Sequence, residues 1–246
     1  MMNLNELPPQ AQNPVKLLVE TLSTRLGDNL LSLTLVGSVL SEDYCPQRSD
    51  INSVLVVRQN NREILDFLAE IGPKMGRQKL AAPLLMWPEY IRRSCDVFAV
   101  EWLDYQWRHR TVVGDDPFAE LRFDKPDVRV QCEREYKSAL VRLRQGYISS
   151  VRKPALVAQL LSAAARELLP YLRATLWLTD TERPSTAERT FAHLANVTGI
   201  SMGALAQRYA QRYDTKRPAA ELIQDVFGQV CEAIESLADY VDKLEV

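Results

Sequence analysis

The sequence predicts an α+β chain, with a mixed sheet and flanking helices in front and a helical bundle behind. Three observations carry that prediction. Short β-branched, strand-like runs alternate with amphipathic helical stretches over roughly the first 120 residues. Past Pro126 no strand pattern appears, and Pro154, Pro184 and Pro218 punctuate long helical runs. Between the first two strand-like runs, Val36-Gly37-Ser38 is followed twelve residues later by Asp50-Ile51-Asn52. Two domains are expected, 1–125 and 126–246.

The elements follow in order. Pro14 to Leu26 carries Val15, Leu18, Val19 and Leu22 at helical spacing, and Gly27-Asp28-Asn29 ends it. Leu31 to Val36 and Ile51 to Val57 are the first two strands, joined by a polar loop containing Pro46. Arg62 to Ile71 is a helix with Ile64, Leu65, Phe67 and Leu68 on one face, closed by Gly72-Pro73. Leu80 to Trp87 reads as a strand, and Pro88 opens a short helix because proline suits a first helical turn. Asp96 to Trp102 (DVFAVEW) reads as a further strand, and His109 as a residue of the surface loop after it.

The helical half begins at Asp127 to Ser150. Ala155 to Leu178 is apolar almost all round, which places it in the middle of a bundle with a kink at Pro170. Ser185 to Val197, capped by Ser185, and Gly203 to Tyr213 are shorter, and Ala219 to Leu244 closes the chain. Glu133, Lys137, Arg144 and Arg166 are the charged residues on these helices that would face a cleft.

The chemistry lies in the first two strands. A glycine lets backbone approach a phosphate, and a serine hydroxyl can bind a phosphate oxygen. Positions 50 and 52 stand at i and i+2, so on a strand they point to one face and both can reach a metal ion. This pattern resembles the DNA polymerase beta-like nucleotidyltransferase superfamily, in particular small bacterial members such as the aminoglycoside nucleotidyltransferases. The resemblance covers the order of elements from about residue 10 onward, including the turn at Gly114-Asp115-Asp116-Pro117. It implies phosphate binding by Gly37 and Ser38, with Asp50 and Asp96 as catalytic metal ligands. The fold it implies is a nucleotidyltransferase-like sheet followed by a helical acceptor-binding half. The reaction implied is Mg²⁺-assisted transfer of a nucleoside monophosphate from a nucleoside triphosphate to a small-molecule hydroxyl.

Asn52 departs from the pattern, which calls for a carboxylate there. An amide oxygen still touches a metal but brings no charge to hold it, so a single-metal site is retained more readily than a two-metal one. The rival reading is a catalytically impaired nucleotide-binding or interaction protein on the same fold. Glu101, five residues past Asp96, would point to the opposite face of a regular strand and enter the site as a base only if that strand bends.

Composition narrows the partners. The net charge of −2 gives no general attraction to polyanions, which counts against nucleic acid. The N-terminus has neither the basic region nor the apolar core of a secretory signal, and no long apolar run suggests a membrane span. Cys45, Cys95, Cys132 and Cys231 are too scattered for a zinc site or a disulfide framework, so a cytoplasmic protein with reduced thiols is expected. An exposed apolar face on the helix from Ala155 would make a homodimer surface.

Overall fold

The computed structural model describes residues 4–151, 153–214 and 219–246. They form two compact units, one of residues 1–95 with 105–122 and the other of residues 96–104 with 123–246.

The first unit is built on a four-stranded mixed sheet of order β3-β2-β1-β4. Strand β1 (Leu30–Val36) pairs antiparallel with both β2 (Asn52–Val57) and β4 (His109–Gly114), whereas β3 (Leu84–Met86) joins β2 in parallel. Nearly every residue of β1 and β2 is buried, which is why both read as continuous apolar runs rather than alternating ones. One face of the sheet (Leu33, Leu35, Leu55, Val57) shares a core with Val15, Leu18 and Leu22 of helix α1 (Pro9–Leu26). Ile64, Phe67 and Met75 of α2 (Arg62–Arg77) join the same core.

Helix α2 does not end at Gly72-Pro73 as expected. It is capped at its start by the Asn61 side chain, which accepts from the Ile64 amide at 3.1 Å, and it runs on to Arg77. Pro73 removes one amide, but the carbonyl that loses its partner belongs to Ala69, which is exposed and can be hydrated. Burial of Met75 holds the last turn in place. The strand expected over Leu80 to Trp87 shrinks to Leu84–Met86, with Leu80 adding an isolated bridge to Ile51. The short helix at Pro88 forms as α3 (Pro88–Arg93), with proline in its first turn.

The expected strand Asp96 to Trp102 is a turn followed by helix α4 (Ala99–Trp107). Local β propensity loses here to tertiary context. Ala99, Val100 and Leu103 are buried at helical spacing, whereas Val97 and Phe98 are exposed. The Gln131 side chain accepts from the Val100 amide at 2.9 Å and so satisfies a donor of the helix's first turn. The strand missing there lies further on: His109, expected in a surface loop, opens β4.

The second unit packs α5 (Lys125–Ser149), α6 (Pro154–Glu167), α7 (Leu169–Leu178), α8 (Ala187–Thr198), α9 (Gly203–Ala210) and α10 (Ala220–Asp242) around one apolar core, together with the first turn of α4. The run from Ala155 to Leu178 is interrupted more sharply than a kink. It divides at Leu168, and Pro170 falls in the first turn of the second piece. Gly146 lets α5 approach α6 so closely that an added Cβ would lie 2.7 Å from a Leu160 methyl. Tyr147 stacks on Phe227 between α5 and α10, at a centroid distance of 4.3 Å. Thr186, not Ser185, caps α8, because its hydroxyl sits three residues before the Arg189 amide it accepts from.

Gly114 ends β4 with φ +72°, and a Cβ there would stand 1.7 Å from the Leu31 carbonyl oxygen. Gly199 has the same φ but nothing within 4 Å. Gly114→Ala should therefore cost roughly 2–5 kcal/mol, from left-handed strain plus overpacking. Gly199→Ala should cost about 1–2 kcal/mol from strain alone. Urea denaturation of both variants measures the difference, and equal losses would contradict it.

Candidate functional site

The site grows out of the end of β1. Gly37 takes φ +80°, a left-handed conformation that glycine adopts without penalty, and a short 3₁₀ turn (Gly37–Leu40) follows with no side-chain cap. Ser38 sits in that turn. Its carbonyl accepts from the Ser41 amide at 2.9 Å and the Ser41 hydroxyl at 3.1 Å, while its own hydroxyl has no partner among the described residues.

Strand β2 brings the second half of the motif beside that turn. Val36 pairs with Asn52 in the β1–β2 ladder, and a Cβ on Gly37 would lie 3.5 Å from the Asn52 amide nitrogen. Ile51 is fixed from both sides: its amide donates to the Lys79 carbonyl at 2.7 Å, and its own carbonyl accepts from the Ala81 amide at 3.0 Å. Its side chain is buried, so Asp50 and Asn52, which flank it, turn to the opposite, open face. Both are exposed, and neither side chain forms a hydrogen bond or ion pair among the described residues. Ser49 anchors the approach, its hydroxyl accepting from the Cys45 amide at 3.1 Å.

Tyr44 carried no sequence signal, and His109 was expected in a surface loop. Tyr44 lies half-buried in the loop before Asp50, and its pKa is raised by burial and then by the Asp50 charge. His109 stands across the sheet, opposite Val36, on the same row as Asn52 but two strands away, about 10 Å. It is held rather than loose. Nε2 is 2.9 Å from Asp116, Nδ1 is 2.9 Å from the Tyr105 carbonyl, and the ring meets Phe118 edge-on.

The structure brings Gly37, Ser38, Asp50 and Asn52 together in the first unit. Asp96 lies outside it, as the exposed opening residue of a segment that belongs to the second unit. Glu101 is not a strand-end carboxylate, because it lies in helix α4. It accepts from Gln131 at 2.5 Å and from the Tyr171 hydroxyl at 2.8 Å, tying α4 to α5 and α7. The strand beside β2 offers only Leu84, Leu85 and Met86. Among the described residues no group of three or more His, Cys, Asp or Glu side chains could hold a metal ion.

The charged residues expected to face a cleft sort differently. Glu133 pairs with Arg129 at 3.0 Å and Lys137 at 2.5 Å, and these cations, Lys137 foremost, lower its pKa. Arg144 reaches Glu235 at 3.5 Å, while Arg166 lines a groove within the helical unit. The four cysteines are free, and no helix among the described residues is long and apolar enough to cross a membrane.

A mixed sheet with this strand order, a Gly-Ser turn after its central strand and a helical unit that follows in the chain match a nucleotidyltransferase-like α+β fold. Among solved structures the chain is similar to spectinomycin adenyltransferase AAD(9) from Enterococcus faecialis, crystallised with ATP and spectinomycin. The TM-score is 0.58 at 11% identity, covering 94% of this chain and 99% of that one. No family model matches the sequence. No curated protein matches it either. The likeness is therefore one of fold.

Removing the charge at residue 50 should be visible at Tyr44. In Asp50→Asn the Tyr44 titration should move toward, but not reach, its ordinary value, because burial is the larger cause of the shift. The phenolate absorbance of each protein, less that of its Tyr44→Phe counterpart, isolates the group. An unchanged titration would show that the carboxylate does not face Tyr44.

Proposed function

We propose that the chain binds a nucleoside triphosphate, with one divalent cation, at the turn formed by Gly37 and Ser38 and the strand start bearing Asp50 and Asn52. The observation that carries this is a set of unengaged polar groups, the Ser38 hydroxyl, the Asp50 carboxylate and the Asn52 amide, at a glycine turn of φ +80°. Mg²⁺ commonly takes one or two carboxylates and fills its octahedron with phosphate oxygens and water, so this donor set fits one ion. When bound, that ion would neutralise charge on the triphosphate. Ser38 would hold a phosphate oxygen, and Asp50 would orient the cation through its one full negative charge.

Binding is better supported than turnover. Asn52 contributes no charge, β3 contributes no carboxylate, and a two-metal clamp on attacking and leaving oxygens needs more anionic ligands than these. The second reading, transfer of a nucleoside monophosphate to a small-molecule hydroxyl with Asp96 as a further ligand, is favoured by the neighbour's co-crystallised ATP and spectinomycin. The two readings share the nucleotide and differ in the acceptor.

Titration of the purified chain with ATP, GTP, CTP and UTP, with and without Mg²⁺, tests the site by heat and by melting temperature. One triphosphate should bind in a Mg²⁺-dependent way, and Asp50→Ala should weaken it at least ~30-fold, the loss of one charge-assisted contact of about 2 kcal/mol. No Mg²⁺-dependent binding of any triphosphate would sink both readings. Asn52→Asp should tighten Mg²⁺-nucleotide binding about tenfold through the added charge. Product formation that appears only in Asn52→Asp would separate binding from transfer, whereas turnover by the unaltered chain would favour the transferase.

A further inference from the structure

Helices α6, α9 and α10 of the second unit enclose a groove of about 470 Å³, within the range of small-molecule sites. Among the described lining residues, Arg166, Arg208 and Arg212 stand with one carboxylate, Asp214. That excess stands out in a chain whose net charge is −2.

Arg208 is the telling residue. Its side chain is only 8% exposed. One Nη donates to the Ala158 carbonyl at 3.0 Å and the Ser162 hydroxyl at 2.8 Å, and the other to Gln211 at 2.8 Å. These partners are all neutral. Nε has none among the described residues, and no carboxylate pairs with the guanidinium there. The eight residues outside the description, 1–3, 152 and 215–218, include no Asp or Glu, so the chain supplies no counter-charge from them either. Burial pushes the Arg208 pKa down, and Asp214 only partly opposes it. A buried cation without an anionic partner is costly unless a ligand supplies the charge.

The neighbours are placed to help. Arg166 stands four residues after Ser162 and seven after Gln159, on the same face of α6, exposed and without an ion pair among the described residues. Arg212 is fixed over the Tyr209 ring at 4.0 Å and the Tyr213 ring at 4.7 Å. Guanidinium groups match the paired oxygens of carboxylates and phosphates. The opposite wall, from α10, is apolar, with Leu222 (56% exposed), Ile223 and Val226.

We propose that this groove binds a small organic oxyanion, a carboxylate or phosphate ester with a short apolar body, whose charged end meets Arg166 and Arg208. The body lies against Leu222 and Val226. The site is separate from the nucleotide turn and does not depend on it.

Calorimetric titration of the full chain with hexanoate, hexyl phosphate, inorganic phosphate and hexan-1-ol tests this. At least one hexyl anion should bind and raise the melting temperature, with the alcohol at least tenfold weaker. The ratio of the two anions tells carboxylate from phosphate. Arg166→Ala, an exposed change, should weaken binding about tenfold with the fold intact, and Leu222→Ser should weaken the hexyl anions but not inorganic phosphate. Asp50→Ala should leave all of it unchanged, which separates this site from the nucleotide site. Arg208→Met would lose binding yet melt no lower than the parent if the charge serves the ligand rather than the fold. Absence of binding by both anions, equal binding of the alcohol, or indifference to Arg166→Ala would overturn the proposal.

Discussion

The register of β1 against β2 is the constraint on which the first unit depends. Val36 opposite Asn52 is in register with every pair as far as Ser32 opposite Val56, and side chains alternate faces with a period of two. A slip of one residue would turn Leu55 and Val57 out of the core shared with α1, and would turn Asp50 and Asn52 into it. A large apolar penalty thus enforces the position of two polar side chains. The parallel bridge of Ile51 to Leu80 secures the same register from the other side, at the residue between them.

That rigidity gives the Asn52 substitution its chemical meaning. The position is held open, exposed and beside the glycine turn, so the amide stands where a second carboxylate would stand and no shift of the strand explains it away. On the proposed reading the turn and the strand start offer donors for one cation, while the anionic density for two is lacking. A shared fold does not carry chemistry, so function must be argued from the site rather than from the architecture.

In the helical unit, buried polar ties do the positioning that a sheet register does in front. Glu101 joins Gln131 and Tyr171, Arg173 pairs with Asp104 at 3.1 Å, and the Tyr136 hydroxyl meets Thr175 at 2.7 Å. Each tie joins two helices, and together they bind α4 to α5 and α7. Arg208 contrasts with them, because its charge lacks the partner that Arg173 has.

The sequence by itself determined the fold class, the two central strands, the helices of the second half and the Gly-Ser and Asp-x-Asn elements, because these rest on local periodicity and on residues with special backbone or ligand chemistry. It misread Asp96 to Trp102, which form a turn and then the start of a helix whose Val100 amide is satisfied by Gln131. It passed over β4, because His109 and Arg110 obscure a Thr-Val-Val run whose pairing partner is distant in sequence. Only the tertiary structure decided which charges are paired and which are left bare. Glu133 looked like Arg166 along the chain, yet one is matched by Arg129 and Lys137 and the other opens onto a groove. Charge pairing is a property of side chains brought together across helices, and no local pattern encodes it.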